Sequence, residues 1–128
     1  MPAWNDYKDE ARSRGALAME LFVVTTKPCG DMELVKKTLP DHLKYQKQLE
    51  AGDALVMAGP VSDASGEQMN AEGMIIYRAE NLAAARVLAD ADPMHAMGAR
   101  RYEIRKWLVN EGAFNFSIAL STQAVDLA

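Results

Sequence analysis

His42 is the residue of this chain whose type and position best fit acid–base chemistry. Its imidazole titrates near neutral pH, and a carboxylate that fixes its tautomer would leave the second nitrogen free as a general base. Five aspartates are candidates for that partner: Asp41, Asp53, Asp63, Asp90 and Asp92. Asp92 is the most constrained, because Pro93 disfavours helical geometry at the residue before it. Spacing alone does not decide whether Asp92 reaches His42.

Other chemistry has less support in the sequence. A histidine on an apolar helix face is more often a hydrogen-bonded core residue than a base, so the partner of His42 decides its role. His95 stands between Met94 and Met97 in a predicted loop, which indicates a packed surface turn. Two histidines so far apart do not supply zinc or iron ligand spacing, and the glycines are too scattered for a phosphate-binding loop. The sequence therefore predicts no metal and no cofactor.

The elements that must position His42 lie between residues 32 and 63. The pattern predicts a helix over 32–51 that is interrupted at Pro40, because proline inside a helix costs about 3 kcal/mol. We therefore expect a short first turn and then a new helix with Pro40 in its opening turn. One stripe of that helix, facing inward, carries Leu39, His42, Leu43, Gln46 and Leu49. The strand that follows, at 53–60, ends at Gly59 and Pro60, which would form the rim of a small-molecule pocket.

The remaining elements predict a ferredoxin-like α+β fold. Strands at 17–26, 53–60, 73–78 and 99–109 alternate with the helix at 32–51 and a second helix at 81–90 in the order βαββαβ. Such a sheet has both helices on one face. The other face, with Trp107 among its residues, would need a partner to cover it, so we expect a homodimer in which two sheets form an α+β barrel.

Two segments extend beyond this core. Residues 3–14 have Trp4, Tyr7 and Ala11 on one helical face and predict a short helix, which would pack on its own domain or clasp a partner subunit. Phe114, Phe116, Ile118 and Leu120 alternate strictly and predict an extra strand within 113–122, suited to a sheet edge of the same or another subunit. We expect a single domain over 1–128, with an arm at 1–16 and a core at 17–110.

Composition narrows the class of protein. The chain has 128 residues, a net charge of −4 and a pI near 5.1, which argues against nucleic acid as a partner. The single cysteine, Cys29, excludes an internal disulfide framework and suits a reducing compartment. The polar N-terminus carries no apolar signal segment, and no run approaches the ~20 apolar residues that cross a membrane. We expect a cytoplasmic protein, away from membranes, whose partner is a small molecule.

The chain resembles the YCII-related proteins over roughly residues 20 to 110. The resemblance depends on the run HLKYQKQLEAGDALVMAGPVSD, followed by NLAAARVLADADP and then a strand rich in Tyr and Arg. Its most specific elements are His42-Leu43, Ala58-Gly59-Pro60 and the helix end at 90–93. The order and spacing of these elements make the match. The resemblance implies a ferredoxin-like fold that dimerises as an α+β barrel, in agreement with the prediction from the pattern.

The resemblance also implies a function. It implies a His–Asp dyad in a pocket, which falls on His42 and Asp92, and the best-defined activity of the family is dehydrochlorination of a chlorinated hydroxyhydroquinone in aromatic breakdown. We therefore expect a cofactor-independent lyase or isomerase acting on a small aromatic or quinol-like compound, with His42 as general base. Arg101 or Arg105 would clamp the developing oxyanion, and Ser62 would contact ring oxygens.

Two alternatives remain open on the same scaffold. One is a small-molecule binder or pathway accessory protein without catalytic activity. The other is a cofactor-free monooxygenase of the dimeric barrel type, in which a substrate carbanion meets oxygen directly. The solvated face of a strand is an alternative role for Arg101 and Arg105.

Overall fold

A computed structural model of the chain describes residues 1–127. Its elements follow in the order α1 (Trp4–Ser13), β1 (Met19–Pro28), α2 (Met32–Ala51), β2 (Leu55–Ser62), β3 (Met69–Tyr77), α3 (Leu82–Ala91), α4 (Pro93–Ala96), β4 (Arg100–Val109), β5 (Phe116–Ile118) and β6 (Val125–Leu127). One four-stranded sheet has the strand order β2-β3-β1-β4, and β3 runs antiparallel to both β1 and β2. This is the ferredoxin-like α+β fold, as predicted.

The chain forms two compact units. The larger covers Glu20–Trp107 and holds most of the sheet with α2, α3 and α4. The smaller combines Met1–Met19 with the segment from Leu108 onward. The predicted boundaries of one domain, an arm and a core stay a prediction. No helix among residues 1–127 is long and apolar enough to cross a membrane.

The core of the larger unit lies between the helices and one face of the sheet. Phe22 and Val24 of β1 lie opposite Tyr77 and Ile75 of β3, and all four side chains are buried. Side chains of a strand alternate between faces, so these residues share the face on which α3 packs its small residues. Leu49 of α2 packs against the same cluster. Both long helices therefore cover one face of the sheet.

Helix α2 is continuous from Met32 to Ala51, so the predicted interruption at Pro40 is wrong. Proline removes one backbone hydrogen bond, but its fixed φ is itself helical. The cost is offset by the packing of the helix and by its N-cap, where the Asp31 carboxylate accepts a hydrogen bond from Leu34 N at 3.1 Å. An uninterrupted α2 fixes the direction of every side chain after Pro40, including His42.

The inward stripe of α2 is rotated from the predicted one. Leu39 and Leu43 are exposed, whereas Thr38 is buried and Tyr45 is half-buried. Thr38, Tyr45 and Leu49 have helical spacing with His42, which therefore lies at the centre of the inward face. The rotation follows from the uninterrupted helix, because a new helix at Pro40 would have allowed a different orientation.

The two hairpins also differ from the predicted segments. The predicted strands end at 60 and begin at 73, whereas β2 extends to Ser62 and β3 begins at Met69. Their connection is therefore a short turn, in which Asp63 accepts hydrogen bonds from Ser65, Gly66 and Gln68. In the smaller unit, the strand predicted within 113–122 is limited to β5. It pairs with β6 in a separate two-stranded sheet and is not part of the four-stranded one.

Candidate active site

Asp92 is fixed by the junction of two helices. It ends α3 and begins α4, and its backbone is extended (φ −60°, ψ 124°), as the residue before a proline favours. Its Oδ1 accepts a hydrogen bond from Met94 N at 2.9 Å, which caps α4. The side chain is completely buried. A buried carboxylate is costly unless it is paired, so its partners decide what this site can do.

His42 is that partner. Its Nδ1 lies 2.8 Å from Asp92 Oδ1 and 2.9 Å from Oδ2, although the two residues are 50 positions apart. The His42 side chain is 14% exposed. Because the carboxylate accepts, Nδ1 carries the proton and donates, and the lone pair of the neutral imidazole is on Nε2. The structure thus contains the contact on which the predicted dyad depends; its catalytic role stays a prediction.

Gln46 occupies the other side of the imidazole. It follows His42 by one helical turn, and its Nε2 amide group donates to His42 Nε2 at 2.8 Å. Its Oε1 is buried and has no hydrogen-bond partner among residues 1–127. The sequence placed Gln46 on the inward stripe but did not identify it as a site residue. The available signal was its position four residues after the candidate base.

A groove of about 730 Å³ runs beside this arrangement, between α2 and β2. Its walls are Leu43, Lys44, Gln46, Lys47, Glu50, Leu55, Val56, Met57 and Ala58. Of His42, Asp92 and Gln46, it is therefore Gln46 that contributes to the wall of the groove. The volume is within the range typical of small-molecule sites.

His95 belongs to a second network beside the first. It lies in α4 rather than in the predicted loop. Its Nδ1 donates to Ala89 O at 2.7 Å, and its Nε2 lies 3.0 Å from Thr26 Oγ1. Arg100 Nε donates to the same Thr26 oxygen at 3.0 Å, so the Thr26 hydroxyl must use its own proton to donate to His95 Nε2.

Burial governs the charge of this second network. It lowers the pKa of His95, which the Ala89 carbonyl and the negative charge of Asp92 raise by less. It also lowers the pKa of Arg100, whose Nη2 donates to the carbonyl oxygens of Thr26 and Ala71. A neutral imidazole with a proton on Nδ1 fits all these bonds. No local pattern indicated this network, because Thr26 is about 70 positions from its partners.

Tyr45 connects α2 to α3 by a hydrogen bond. Its hydroxyl donates to Leu88 O at 2.7 Å. Burial, and to a lesser extent the charge of Asp92, raises the pKa of Tyr45, so its hydroxyl keeps its proton near neutral pH. Tyr45 therefore stabilises the position of α2 against α3 by a hydrogen bond to a carbonyl.

The predicted arginine clamp does not meet the dyad. Arg101 and Arg105 are exposed, and they alternate on β4 with Tyr102 and Ile104, which pack against the core. The two arginines therefore lie on the opposite face of the sheet from α2. Since the sheet separates them from His42, they do not belong to its site in the same chain. A role for either arginine in stabilising an oxyanion stays a prediction.

The other predicted substrate contacts lie along β2. Gly59 and Pro60 are exposed and pair with Met74 and Gly73 of β3. The Ser62 hydroxyl is also exposed and donates to Asp63 O at 2.9 Å. Pro60 and Ser62 line a hollow of about 220 Å³ at the turn between β2 and β3, and Gln46 is not among its walls. A role for Gly59, Pro60 and Ser62 in substrate binding stays a prediction.

The described residues offer no ready metal centre. Among residues 1–127, no three side chains of His, Cys, Asp or Glu converge in an arrangement that could hold a metal ion. Cys29 is an exposed free thiol.

Comparison with known proteins now identifies the family. Residues 19–108 match the YCII-related domain. The chain belongs to the YCII-related family. It is also 33% identical over 66 residues to the uncharacterized protein YjpA of Bacillus subtilis, an alignment that covers 52% of this chain and 71% of YjpA. The predicted family is therefore confirmed.

A solved structure has a similar fold. It is 5-chloro-2-hydroxyhydroquinone dehydrochlorinase (TftG) from Burkholderia phenoliruptrix, in complex with 2,5-dihydroxybenzoquinone. The match has a TM-score of 0.56 at 22% sequence identity and covers 68% of this chain and 92% of that one. At this identity the similarity shows a shared fold.

Proposed function

We propose that this protein is a cofactor-independent lyase or isomerase that uses His42 as a general base on a small aromatic or quinol-like compound. The observation that carries the proposal is the contact between His42 Nδ1 and the buried Asp92 carboxylate at 2.8 Å. A carboxylate in this position fixes the tautomer and stabilises the imidazolium that forms when Nε2 takes a proton. This is the arrangement that a histidine base requires.

The surroundings of the dyad fit a small organic substrate. The groove beside Gln46 has apolar walls from Leu43, Leu55 and Met57 and a polar margin from lysines of α2. An aromatic ring would bury its faces against the apolar walls, and a ring hydroxyl would be oriented by polar groups at one end. Such a ligand would present its hydroxyl to His42 from the side of Gln46.

The proposed reaction is a dehydrochlorination. His42 Nε2 takes the proton of a ring hydroxyl, and the resulting oxyanion pushes electron density into the ring. After tautomerisation of the ring, the carbon–chlorine bond breaks and its electron pair leaves with chloride. The net loss is one proton and one chloride, so the organic product becomes a quinone without an external oxidant. The name of the similar solved enzyme, a dehydrochlorinase of a chlorinated hydroxyhydroquinone, supports this class of substrate.

Chloride release from a panel of chlorinated hydroxyhydroquinones tests the proposal. We expect the parent protein to release chloride and His42→Ala to lose turnover by about 10²- to 10⁴-fold, the usual contribution of a general base. His95→Asn is the matched control, because its imidazole lies in the second network. Circular dichroism checks that both variants fold.

Three results would contradict this function. Chloride release by His42→Ala at the parent rate would exclude His42 as the base. Ligand binding that survives the loss of His42, with no product from any member of the panel, would favour a binding protein. Oxygen consumption with a hydroquinone, without chloride release, would favour a monooxygenase.

We also propose that two copies pair through the sheet face opposite α2 and α3. Met74 and Trp107 lie on that face and are 40 and 42% exposed in the single chain. Burying these side chains against a second copy would form the α+β barrel implied by the family resemblance. Sedimentation velocity should give a mass about twice that of the chain, and Trp107→Glu should shift it to the monomer. Lys47→Glu, on α2, should leave it unchanged; a monomeric parent would exclude the dimer.

A further inference from the structure

Both nitrogens of the His42 ring are occupied. Asp92 accepts from Nδ1, and the Gln46 amide donates to Nε2 at 2.8 Å. The lone pair that would take a proton from a ligand is therefore engaged by a neighbour from the same helix. A hydroxyl cannot reach hydrogen-bond distance of Nε2 while the amide nitrogen is in this position. Access to the base thus depends on movement of Gln46.

The Gln46 amide is itself incompletely satisfied. Its nitrogen has a partner in His42, but its oxygen is buried without one among residues 1–127. Buried polar atoms without a partner are uncommon and unfavourable, and each one needs an explanation. Turning the amide over at the same place would pair the oxygen with His42 only if Nε2 carried a proton. The present orientation of the Gln46 amide therefore fits a neutral His42 and leaves the amide oxygen without a hydrogen-bond donor.

Gln46 is also the residue through which the groove meets the dyad. It is one of the groove walls, whereas His42 and Asp92 are not. A ligand in the groove would contact the Gln46 side chain before it reached the imidazole. The amide links the space where a ligand could bind to the nitrogen where proton transfer would take place.

We propose that Gln46 is a gate on His42. In the resting protein its amide N–H occupies Nε2. A hydroxyl-bearing ligand that enters the groove between α2 and β2 displaces the amide, donates its own O–H to Nε2, and gives the Gln46 oxygen a nearby donor. Gln46 is thus a positioning residue, since it acts on proton transfer through His42. The inference rests on the proposed function in that His42 is the base.

Chemical modification of His42 tests the gate without any substrate. Diethylpyrocarbonate acylates the lone pair of a neutral imidazole nitrogen, and mass spectrometry of the peptide containing His42 measures the rate. We expect slow labelling in the parent protein and labelling several times faster in Gln46→Met, which keeps the length of the side chain but has no N–H to donate. Gln48→Met, at an exposed position of the same helix, should label His42 at the parent rate.

A second variant tests the same gate with a polar side chain. In Gln46→Glu the carboxylate can only accept from Nε2, so it should hold His42 in the protonated form, which does not react. Labelling should then be slower than in the parent protein. This comparison with the parent stands even if Gln46→Met folds poorly. His95 is the internal reference, because its Nε2 accepts from Thr26 in every variant.

The outcomes separate the gate from the proposed function. Equal labelling of His42 in the parent and in both Gln46 variants would overturn the gate, even if His42→Ala abolishes chloride release. Faster labelling in Gln46→Met supports the gate, and it does so even if His42→Ala leaves chloride release unchanged and the proposed function fails.

Discussion

The two histidines of this chain lie on either side of Asp92 and have opposite environments. His42 pairs with the Asp92 carboxylate, whereas the backbone of His95 donates to the Asp92 carbonyl and its ring bonds elsewhere. The ring of His95 is held between the Ala89 carbonyl and the Thr26 hydroxyl. A carboxylate stabilises a protonated imidazole far more than a carbonyl and a hydroxyl do. The partners of the ring, not the residue type, therefore distinguish the candidate base from the structural histidine.

The two rings also differ in what could reach them. His42 is in contact with Gln46, whose side chain lines the groove. His95 packs against the Tyr102 ring at a centroid distance of 4.7 Å, and its Nε2 is part of a hydrogen-bonded chain that ends at Arg100. Displacing a partner of His95 would break two bonds of that chain, whereas displacing Gln46 would break one and could satisfy another. We therefore expect a ligand to transfer its proton to His42 rather than to His95.

Replacing the shared carboxylate should give the largest effect. Asp92→Asn removes the negative charge that stabilises a protonated His42 but keeps an oxygen that can accept from Met94 N. We expect chloride release to fall by about 10²-fold or more, with the fold retained. Kinetics of chloride release measure the loss, and urea denaturation measures the stability. Asp41→Asn is the matched control, since Asp41 is adjacent to His42 but exposed. Equal losses in both variants would argue against the dyad.

A smaller effect should come from the second network. Thr26→Val removes the hydroxyl between Arg100 and His95, which leaves two half-buried groups without one partner each. We expect the free energy of unfolding to fall by about 1–3 kcal/mol. Urea denaturation measures this change. Chloride release at saturating substrate should stay within a few-fold of the parent rate. Thr25→Val, on the other face of β1, is the control and should change the stability less.

The activity of Thr26→Val also tests whether the two histidines have separate roles. A loss of chloride release as large as that of Asp92→Asn would join His95 to the catalytic site. The two networks would then have to be treated as one, with Asp92 at its centre.

The fold could be predicted from the sequence because its signals are local. Periodicity and turn residues indicated four strands and two helices in the ferredoxin-like order, each within a few residues of its place. Pro40 misled because the cost of a proline inside a helix is local, whereas the packing that offsets it comes from other parts of the chain. The pairing of the short β5 with β6 could not be predicted, because alternation specifies a strand but not its partner.

The candidate site was predictable only in part. Asp92 could be chosen because Pro93 restricts its backbone. Gln46 could have been predicted as a site residue, because it lies one helical turn after His42 on the inward stripe. The alternation on β4 already placed Arg101 and Arg105 on the face of Trp107, away from the helices, so their assignment to the His42 site conflicted with the pattern itself. The bonds of Arg100 and Thr26 join distant strands, and no spacing in the sequence indicates them.

The smallest expected effect concerns pH. Burial lowers the pKa of His95 below its usual value of about 6.5, so the unfolded chain binds a proton there at a pH where the folded chain does not. The contribution of neutral His95 to the free energy of unfolding is therefore complete above pH 6.5, and it is lost as the pH falls from about 6.5 toward the lower folded pKa.

The variant His95→Asn tests this pH dependence, because its side chain can still donate to the Ala89 carbonyl but does not titrate. The difference in unfolding free energy between parent and variant, measured in urea at pH 7.5 and 5.5, should shrink at the lower pH. A difference that is equal at both pH values would show that His95 takes up its proton as readily in the folded protein as in the unfolded chain, and the contrast between the two histidines would lose its electrostatic basis.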